Sequence, residues 1–165
     1  MLTGKPDLTT ANPITNDGFW SDVDVAKLLV KYRVPSEYAN DTITWGLSLA
    51  VIKVNEKIER VKTIISLLGH ATFVEYITDN PNEVVGMDLL EAHYEHAVYS
   101  RAKAFLLQQF KTMNRREIAE NEAKQSAETE QFWLDESQKS IASILDIFFP
   151  LESHPRKSGF YVSSL

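Results

Sequence analysis

The sequence predicts an all-α fold: a bundle of long helices with a short N-terminal helix and an extended C-terminal tail. The first observation is the stretch from Thr42 to Leu68, where apolar residues recur every three or four positions, as on one face of a helix. The second is a similar apolar stripe from Asp88 to Met113. The third is length, because a helix over 42–68 would be roughly 40 Å long and can bury its stripe only against other long helices.

A short first helix is predicted over residues 22–32. Ser21 has the character of an N-cap, and Asp24, three residues later, that of a shortened capping-box partner. The aromatic pair Phe19-Trp20 before the cap would hold the chain against the bundle. The helix ends before Pro35, because the residue that precedes a proline is disfavoured in the α region.

The second helix is the long one, and its beginning is open between Ser36 and Asp41. Gly69 supplies its C-terminal stop, since glycine readily adopts the left-handed conformation that ends many helices. Residues 70–86 contain the turn-forming residues Asn, Asp, Pro and Gly. They are predicted as a loop with a short helical turn around residues 73–77.

The third predicted helix covers Asp88 to Met113. Asp88 places a negative charge at the N-terminal end, which favours the helix dipole. The small residues Ala97, Ala102 and Ala104 would let a neighbouring helix approach closely.

A fourth helix follows Asn114, which with Glu117 forms a second capping pattern, and runs to about Phe149 before Pro150 ends it. From Glu117 to residue 136 it carries seven acidic residues and one lysine. A helix that is polar nearly all round projects into solvent or bridges to another subunit. The chain thus divides into a flexible leader (1–16), a helical bundle domain (17–150) and an extended tail (151–165).

The tail contains the β-favouring run Phe160, Tyr161 and Val162. Two interpretations remain open for it. The run could add a strand to the sheet of another protein, or it could be a frayed terminus whose aromatic residues fold onto the bundle.

Composition excludes several classes of protein. The chain has 165 residues, no cysteine and a formal net charge of −6, so disulfides, thiolate nucleophiles and zinc–thiolate sites are excluded, and the basic surface that grips nucleic acid is not expected. The N-terminus lacks the pattern of a signal peptide, and no apolar run approaches the roughly 20 residues of a membrane span. We expect a soluble protein made in the cytoplasm.

Motifs for catalysis or metal binding are not found. His93 and His96 are three residues apart, but Leu90 and His93 occupy the positions where a metal-binding bundle would carry glutamates in Glu-x-x-His pairs. No Gly-x-Ser-x-Gly nucleophile elbow occurs. We therefore expect no enzyme activity, no metal and no cofactor.

Several short motifs follow one another in a distinctive order: a Phe-Trp-x-Asp-x-Asp start, a Val-Asn helix, a Tyr-x-x-Ala-Val-Tyr helix, a polar acidic fourth helix and a short β-like end. The residues of the first three motifs are Phe19, Trp20, Asp22, Asp24, Val54, Asn55, Tyr94, Ala97, Val98, Tyr99 and Ala102. In order and spacing these motifs resemble the head completion proteins of peduovirus-type tailed phages, and the resemblance covers about residues 17–162. The fourth helix matches only in character, and the tail only as an apolar ending.

The resemblance implies a virion component of the neck, at the head–tail junction, rather than a catalyst. Such proteins assemble on the portal protein as a ring of twelve copies after DNA packaging, retain the genome, and offer a platform to the next neck or tail-terminator protein. The packaged DNA would pass through the ring without sequence-specific binding. Phe160, Tyr161 and Val162 would then contact the portal.

The acidic half of the fourth helix would line the channel or meet the adjacent subunit, because a negative wall repels the DNA backbone and lets it slide. Its glutamates are Glu117, Glu120, Glu122, Glu128 and Glu130. An alternative from another class is a cytoplasmic helical DNA-binding or regulatory module, and a third is a helical enzyme with an unrecognised site. Net acidity argues against DNA binding.

Overall fold

The computed structural model describes residues 12–35, 38–113 and 120–150, with the side chains of 113 and 120–128 outside this description. Within these ranges the chain forms six helices and two small two-stranded sheets, so the all-α prediction is confirmed. The helices are α1 (Val25–Lys31), α2 (Asn40–Lys57), α3 (Glu59–Leu67), α4 (Phe73–Asp79), α5 (Leu89–Met113) and α6 (Glu120–Phe148). The strands are β1 (Pro13–Ile14), β2 (Val23–Asp24), β3 (Glu83–Val84) and β4 (Met87–Asp88).

Helix α5 packs against both α6 and α2 and carries much of the core. Its most deeply buried residues are Leu90, Tyr94, Ala97, Val98, Tyr99, Ala102 and Leu106. The small side chain of Ala97 brings α6 close enough for Ser137 Oγ to donate a 2.8 Å hydrogen bond to the Ala97 carbonyl oxygen. The predicted third helix is confirmed, and Asp88 caps it by accepting from the backbone N–H groups of Leu90 and Glu91 at 2.9 and 3.2 Å.

Helices α2 and α5 approach most closely at Gly46. A Cβ atom at this position would lie 2.7 Å from Phe105 Cδ1 on α5, which is closer than real Cβ contacts allow. Glycine therefore costs this helix about 1 kcal/mol of helix propensity but makes the contact between the two helices possible.

The prediction of one continuous helix over 42–68 is wrong, because the chain leaves helical geometry at Ile58 (φ −111°, ψ 17°). Helix α2 ends at Lys57 and α3 begins at Glu59. Ile58 is fully buried, and so are Val61 and Ile65 beyond it. The redirected α3 contacts α4 and α6, so the break turns the apolar stripe towards new partners.

The start of the first helix also differs from the prediction. Asp24, not Ser21, is the N-cap: its Oδ1 atom accepts from the backbone N–H of Ala26 at 2.8 Å, and α1 begins at Val25. Residues 21 and 22 precede β2 instead, and the Ser21 hydroxyl is buried without a hydrogen-bond partner among the described residues. The helix ends at Lys31, before Pro35 as expected.

The segment 70–86 is more ordered than the predicted loop. The expected helical turn is the seven-residue helix α4, and β3 and β4 form an antiparallel hairpin after it. The predicted stop at Gly69 is confirmed, since its φ is +94° and the backbone N–H groups of Gly69 and His70 bond to the carbonyls of Ser66 and Ile65.

Residues 12–16, which the sequence places in the leader, have defined partners in the structure. Strand β1 pairs with β2 in an antiparallel register of Pro13 with Asp24 and Ile14 with Val23. The rest of the predicted leader, the capping pattern at Asn114 and Glu117, and the predicted tail lie outside the described residues. Among the described helices, none is both long and apolar enough to cross a membrane.

Candidate functional site

The motif residues meet in a buried aromatic group where the N-terminal segment crosses α5. Trp20 stacks on Tyr94 with ring centres 5.2 Å apart and planes within 8°. Phe73 of α4 lies 5.0 Å from Trp20, and Phe19 meets its edge at the same distance. Four aromatic rings thus join the N-terminal segment, α4 and α5, and offset or edge-on ring pairs of this kind add stability beyond the area that they bury.

A closed triangle of hydrogen bonds adjoins these rings. The Tyr94 hydroxyl donates to Asn55 Oδ1 of α2 at 2.8 Å and accepts from Asn16 Nδ2 at 2.7 Å. Asn55 Nδ2 in turn donates to Asn16 Oδ1 at 2.9 Å. We call Asn16, Trp20, Asn55, Phe73 and Tyr94 the anchor cluster, because together they fasten the N-terminal segment to three helices.

Asp17 stabilises the turn that leads into Trp20 of the anchor cluster. Asp17 Oδ1 accepts from the backbone N–H groups of Phe19 and Trp20, each at 3.0 Å, and its Oδ2 atom pairs with Lys62 Nζ at 2.7 Å. Burial acts to raise the pKa of Asp17, but the hydrogen bonds from Lys62 and the two backbone groups outweigh it and leave that pKa below its ordinary value. Asp17 is therefore a structural carboxylate.

The two aspartates of the Phe-Trp-x-Asp-x-Asp motif, Asp22 and Asp24, also bind backbone groups. Asp22 Oδ1 accepts from the backbone N–H of Asn16 at 2.8 Å. Asp24 caps α1 and also accepts from the backbone N–H of Asn12 at 3.0 Å, while its own N–H donates to the Tyr99 hydroxyl at 3.0 Å. Burial raises the pKa values of the Tyr94 and Tyr99 hydroxyls, so both remain protonated hydrogen-bonding groups.

The remaining motif residues, Val54, Ala97, Val98 and Ala102, are buried where α2 and α6 pack on α5. Asn16, which sequence reasoning placed in the leader, belongs to the same structural arrangement. It lies 39 residues from Asn55 and 78 from Tyr94, so no local pattern in the sequence indicates its role. The family-like motif residues therefore serve to stabilise the fold.

One group of side chains has the composition of a metal site. Ligand atoms of His70, Glu75 and Asp79 lie within 4.8 Å of one another. Capping of α4 already explains them: Thr72 Oγ1 accepts from the Glu75 N–H at 3.1 Å, and Glu75 Oε2 accepts from the Ala71 N–H at 2.7 Å. His70 and Asp79 form a 3.5 Å ion pair when the histidine is protonated. The arrangement is a capping box with an added pair.

The two histidines of α5, His93 and His96, lie near other side chains that affect their hydrogen bonding or protonation. His96 Nδ1 lies 2.7 Å from the Tyr32 hydroxyl, and its Nε2 lies 3.3 Å from Glu136 Oε2 on α6. Burial, followed by the charge of Glu95, raises the pKa of Tyr32 to about 12. Burial and the nearby His96 lower the pKa of His93, which favours its neutral form.

A cavity of about 540 Å³ lies between α1, α5 and the hairpin. Its charged residues compensate one another, since Lys27 Nζ is 2.6 Å from Glu95 Oε1 and Lys31 Nζ is 4.0 Å from Glu95 Oε2. Burial, with the charge of Glu95, raises the pKa of Glu91 on the same wall. The cavity is an open cleft of mixed polarity, and ion pairs between α1 and α5 lie along its wall.

Large apolar side chains are exposed on several elements of the described chain, among them α2 and the β3–β4 hairpin. On α2, Trp45 is 58% exposed and Ile52 is 50% exposed, and their spacing of seven residues places them on one face. On the β3–β4 hairpin, Val85 is 92% exposed and Met87 is 54% exposed. A contiguous exposed apolar area marks an interaction site, whereas single exposed apolar residues are normal, so α2 and the hairpin are candidates for contacts with other chains.

The predicted site residues of the tail and of the acidic helix are only partly described. Phe160, Tyr161, Val162 and Glu117 lie outside the described residues, as do the side chains of Glu120, Glu122 and Glu128. Glu130 is described: its Oε2 atom pairs with Lys111 Nζ of α5 at 3.0 Å. Its charge is therefore compensated within the chain.

The described residues thus form a helical protein held together by a buried aromatic group and a hydrogen-bonded triangle. A model of the phage head completion protein (GPL) family matches residues 14–147. The chain belongs to this family, which is one of phage structural proteins and implies a non-enzymatic role.

A curated relative agrees with this assignment. The probable head completion/stabilization protein of Haemophilus phage HP1 (strain HP1c1) is 28% identical over 122 residues, which cover 73% of this chain and 79% of the relative. No solved structure matches the chain. Membership of the family argues against the alternative of a DNA-binding or regulatory module.

Proposed function

We propose that this protein docks on the portal as a ring after the genome has been packaged, stabilises the filled head, and provides the platform for the next neck protein. The observation that carries the proposal is membership of the head completion family. Apolar side chains exposed on α2 and on the hairpin, Trp45, Ile52 and Val85 among them, are consistent with it. A protein with this role would be located in the neck of the virion.

Three physical features support a ring. Each subunit offers long, laterally packed helices, which suit side-by-side contacts. The exposed apolar side chains of α2 and of the hairpin lie on different elements and allow head-to-tail contacts, which close into rings when the rotation between subunits is right. The formal net charge of −6 is compatible with DNA passing through the ring without being bound.

Co-sedimentation with purified portal protein is the most direct test. We expect the full chain to sediment with portal particles in a stoichiometric band, and an unrelated acidic helical protein of the same size to stay in the supernatant. Absence of binding across a range of salt concentrations would contradict portal docking.

A particle assay tests the role itself. Phage particles assembled without this chain should lose DNA and fail to accept tails, and the purified protein added afterwards should restore both properties. Particles that lack the chain but retain their genome and become infectious would overturn the proposal.

A further inference from the structure

We propose that, within the ring suggested above, neighbouring copies contact each other head to tail: the β3–β4 hairpin of one copy inserts into a groove between α2, α5 and α6 of the next. The inference rests on the proposed ring and assigns the two surfaces that form it. The hairpin tip is defined as Val84, Val85, Gly86 and Met87. The groove is lined on α2 by Gly46, Leu49 and Lys53, on α5 by Arg101 and Phe105, and on α6 by Leu134.

The hairpin tip is both apolar and strained. Val85 has a φ of +55° and Gly86 one of +74°, the two successive positive values of a tight hairpin turn that usually carries Asn-Gly or Asp-Gly. A β-branched residue in the left-handed region is an outlier. This valine is also 92% exposed. Neither the strained backbone nor the exposed side chain of Val85 is compensated by a contact described within one molecule. Backbone strain of this kind clusters at functional sites.

The groove offers a matching apolar recess of about 240 Å³. Its floor is built from small or apolar residues, including Gly46 and Ala50, and from the ring of Phe105. Exposed Trp45 and Ile52 lie on α2 beside it, because residues 45, 49 and 52 share a helical face. The recess is large enough for one or two aliphatic side chains, which is what the hairpin tip supplies.

Charge complementarity identifies a second copy as the occupant. Exposed Glu83 and capping Asp88 flank the hairpin tip, whereas Lys53 and Arg101 line the groove. The one carboxylate in the groove lining, Glu130, already pairs with Lys111. Lys53 forms an exposed pair with Glu56, and a pair of that kind contributes little. An acidic apolar tip therefore faces a basic apolar recess.

The two surfaces are far apart on one molecule. The hairpin ends at Asp88, directly before α5, and the groove begins on α5 at Arg101. At 1.5 Å per residue these points are roughly 20 Å apart along the helix. One copy can thus contact two neighbours at once, which a ring requires.

Disulfide trapping tests the contact directly, because the chain contains no cysteine. In the double variant with Val85→Cys and Leu49→Cys, oxidation of the portal-bound or concentrated protein should give a ladder of covalent dimers, trimers and larger species. Each single variant can give dimers at most. The hairpin end and the groove start, at positions 88 and 101, are roughly 20 Å apart, and a disulfide needs Cα atoms within about 7 Å, so a bond within one copy is not expected. A double variant that co-sediments with portal but yields no ladder would overturn the proposal, as would efficient dimerisation of Val85→Cys alone.

A matched pair of surface variants provides the second test. Val85→Asp should lower the assembled fraction at least tenfold, whereas Val30→Asp on α1, where the valine is also exposed, should not. Val85→Gly removes the side chain that would enter the groove, so it should reduce assembly. Because glycine tolerates a positive φ, the same variant should not lower the melting temperature of the monomer. Equal assembly of Val85→Asp and wild type would refute the contact. Failure of wild type to bind portal would instead refute portal docking, because a ladder in concentrated protein alone would still support the hairpin contact.

Discussion

Tyr94 illustrates at the residue scale why the family motifs are structural. Its ring stacks on Trp20 and its hydroxyl joins Asn16 to Asn55, so one side chain connects the N-terminal segment to α2 and α5. The hydroxyl is buried, and burial raises its pKa, which keeps it protonated and able to donate. Loss of a buried partner is costly because the groups left behind cannot reach water.

We therefore expect Tyr94→Phe to destabilise the protein although it retains the ring. Asn55 Oδ1 would lose its partner, whereas Asn16 Nδ2 would keep its 2.9 Å bond to the Ser21 carbonyl oxygen. The expected cost is about 1–3 kcal/mol in the free energy of unfolding. Chemical denaturation measures this. Tyr76→Phe is the matched control, because Tyr76 packs by its ring on His70 and Phe148, and its hydroxyl has no hydrogen-bond partner among the described residues. Equal losses for both variants would mean that the triangle contributes nothing.

Gly46 supports a second prediction at this scale. Gly46→Ala should gain about 1 kcal/mol of helix propensity, but the new Cβ would lie 2.7 Å from Phe105 Cδ1. Because overpacking costs about 1–3 kcal/mol, the net effect should be a loss of stability. Adding Phe105→Leu should recover part of it in a double-mutant cycle. A variant more stable than wild type would show that the α2–α5 contact has room to relax.

The sequence predicts the structural role of an individual residue only where that role depends on neighbouring residues in the chain. Phe19 and Trp20 are expected to fix the N-terminal segment against the bundle, and both are buried at the anchor cluster. The role of Asn16 comes from partners 39 and 78 positions away and is not visible in any window. The N-cap is misplaced at Ser21 because Ser21 and Asp24 both fit a cap, and pairing of β2 with β1 selects Asp24.

At the element scale, the break between α2 and α3 shows what helical periodicity omits. The apolar positions Val54, Ile58, Val61 and Ile65 continue the spacing across the break, and all four are fully buried. No proline or glycine marks the change at Ile58. The pattern therefore predicts the face correctly but not the change of partner from α5 to α4 and α6.

The predicted C-terminal tail yields a test of an element. If Phe160 to Val162 contact the portal, deletion of residues 155–165 should leave the melting temperature nearly unchanged and abolish co-sedimentation with portal. The control replaces the two aromatic residues only, with Phe160→Ser and Tyr161→Ser, and should give the same result. A large fall in melting temperature would instead place the tail in the core of the bundle.

At the scale of the whole molecule, stability should fall in acid partly through Asp17. Its pKa is lowered in the folded state, so its contribution is present above the unfolded value of about 4 and disappears as the pH falls through the folded value. Asp17→Asn retains an Oδ1 acceptor for Phe19 and Trp20 but removes the ion pair with Lys62.

The expected result is a difference in stability between wild type and Asp17→Asn that is largest near neutral pH and disappears as the pH falls through the lowered pKa of Asp17 in the folded state. It should not exceed about 1 kcal/mol, since the pair is partly exposed. Urea denaturation at a series of pH values measures it. A difference that persists unchanged at pH 2 would assign the loss to the amide substitution and not to the charge.

The acidic half of α6 gives the last prediction, at the scale of the assembled ring. If it lines the channel, reversal of Glu120, Glu122 and Glu128 to lysine should slow DNA ejection, because a positive wall attracts the phosphate backbone that a negative wall repels. Single-particle ejection rates at low and high salt measure the effect, and added salt should weaken it by screening. The matched control replaces the same residues with glutamine and should show a smaller delay. Glu130 is left unchanged, since it pairs with Lys111 and its reversal would disturb the contact between α5 and α6. Normal ejection by the lysine variant would exclude a channel role and leave the adjacent subunit as the partner of this helix.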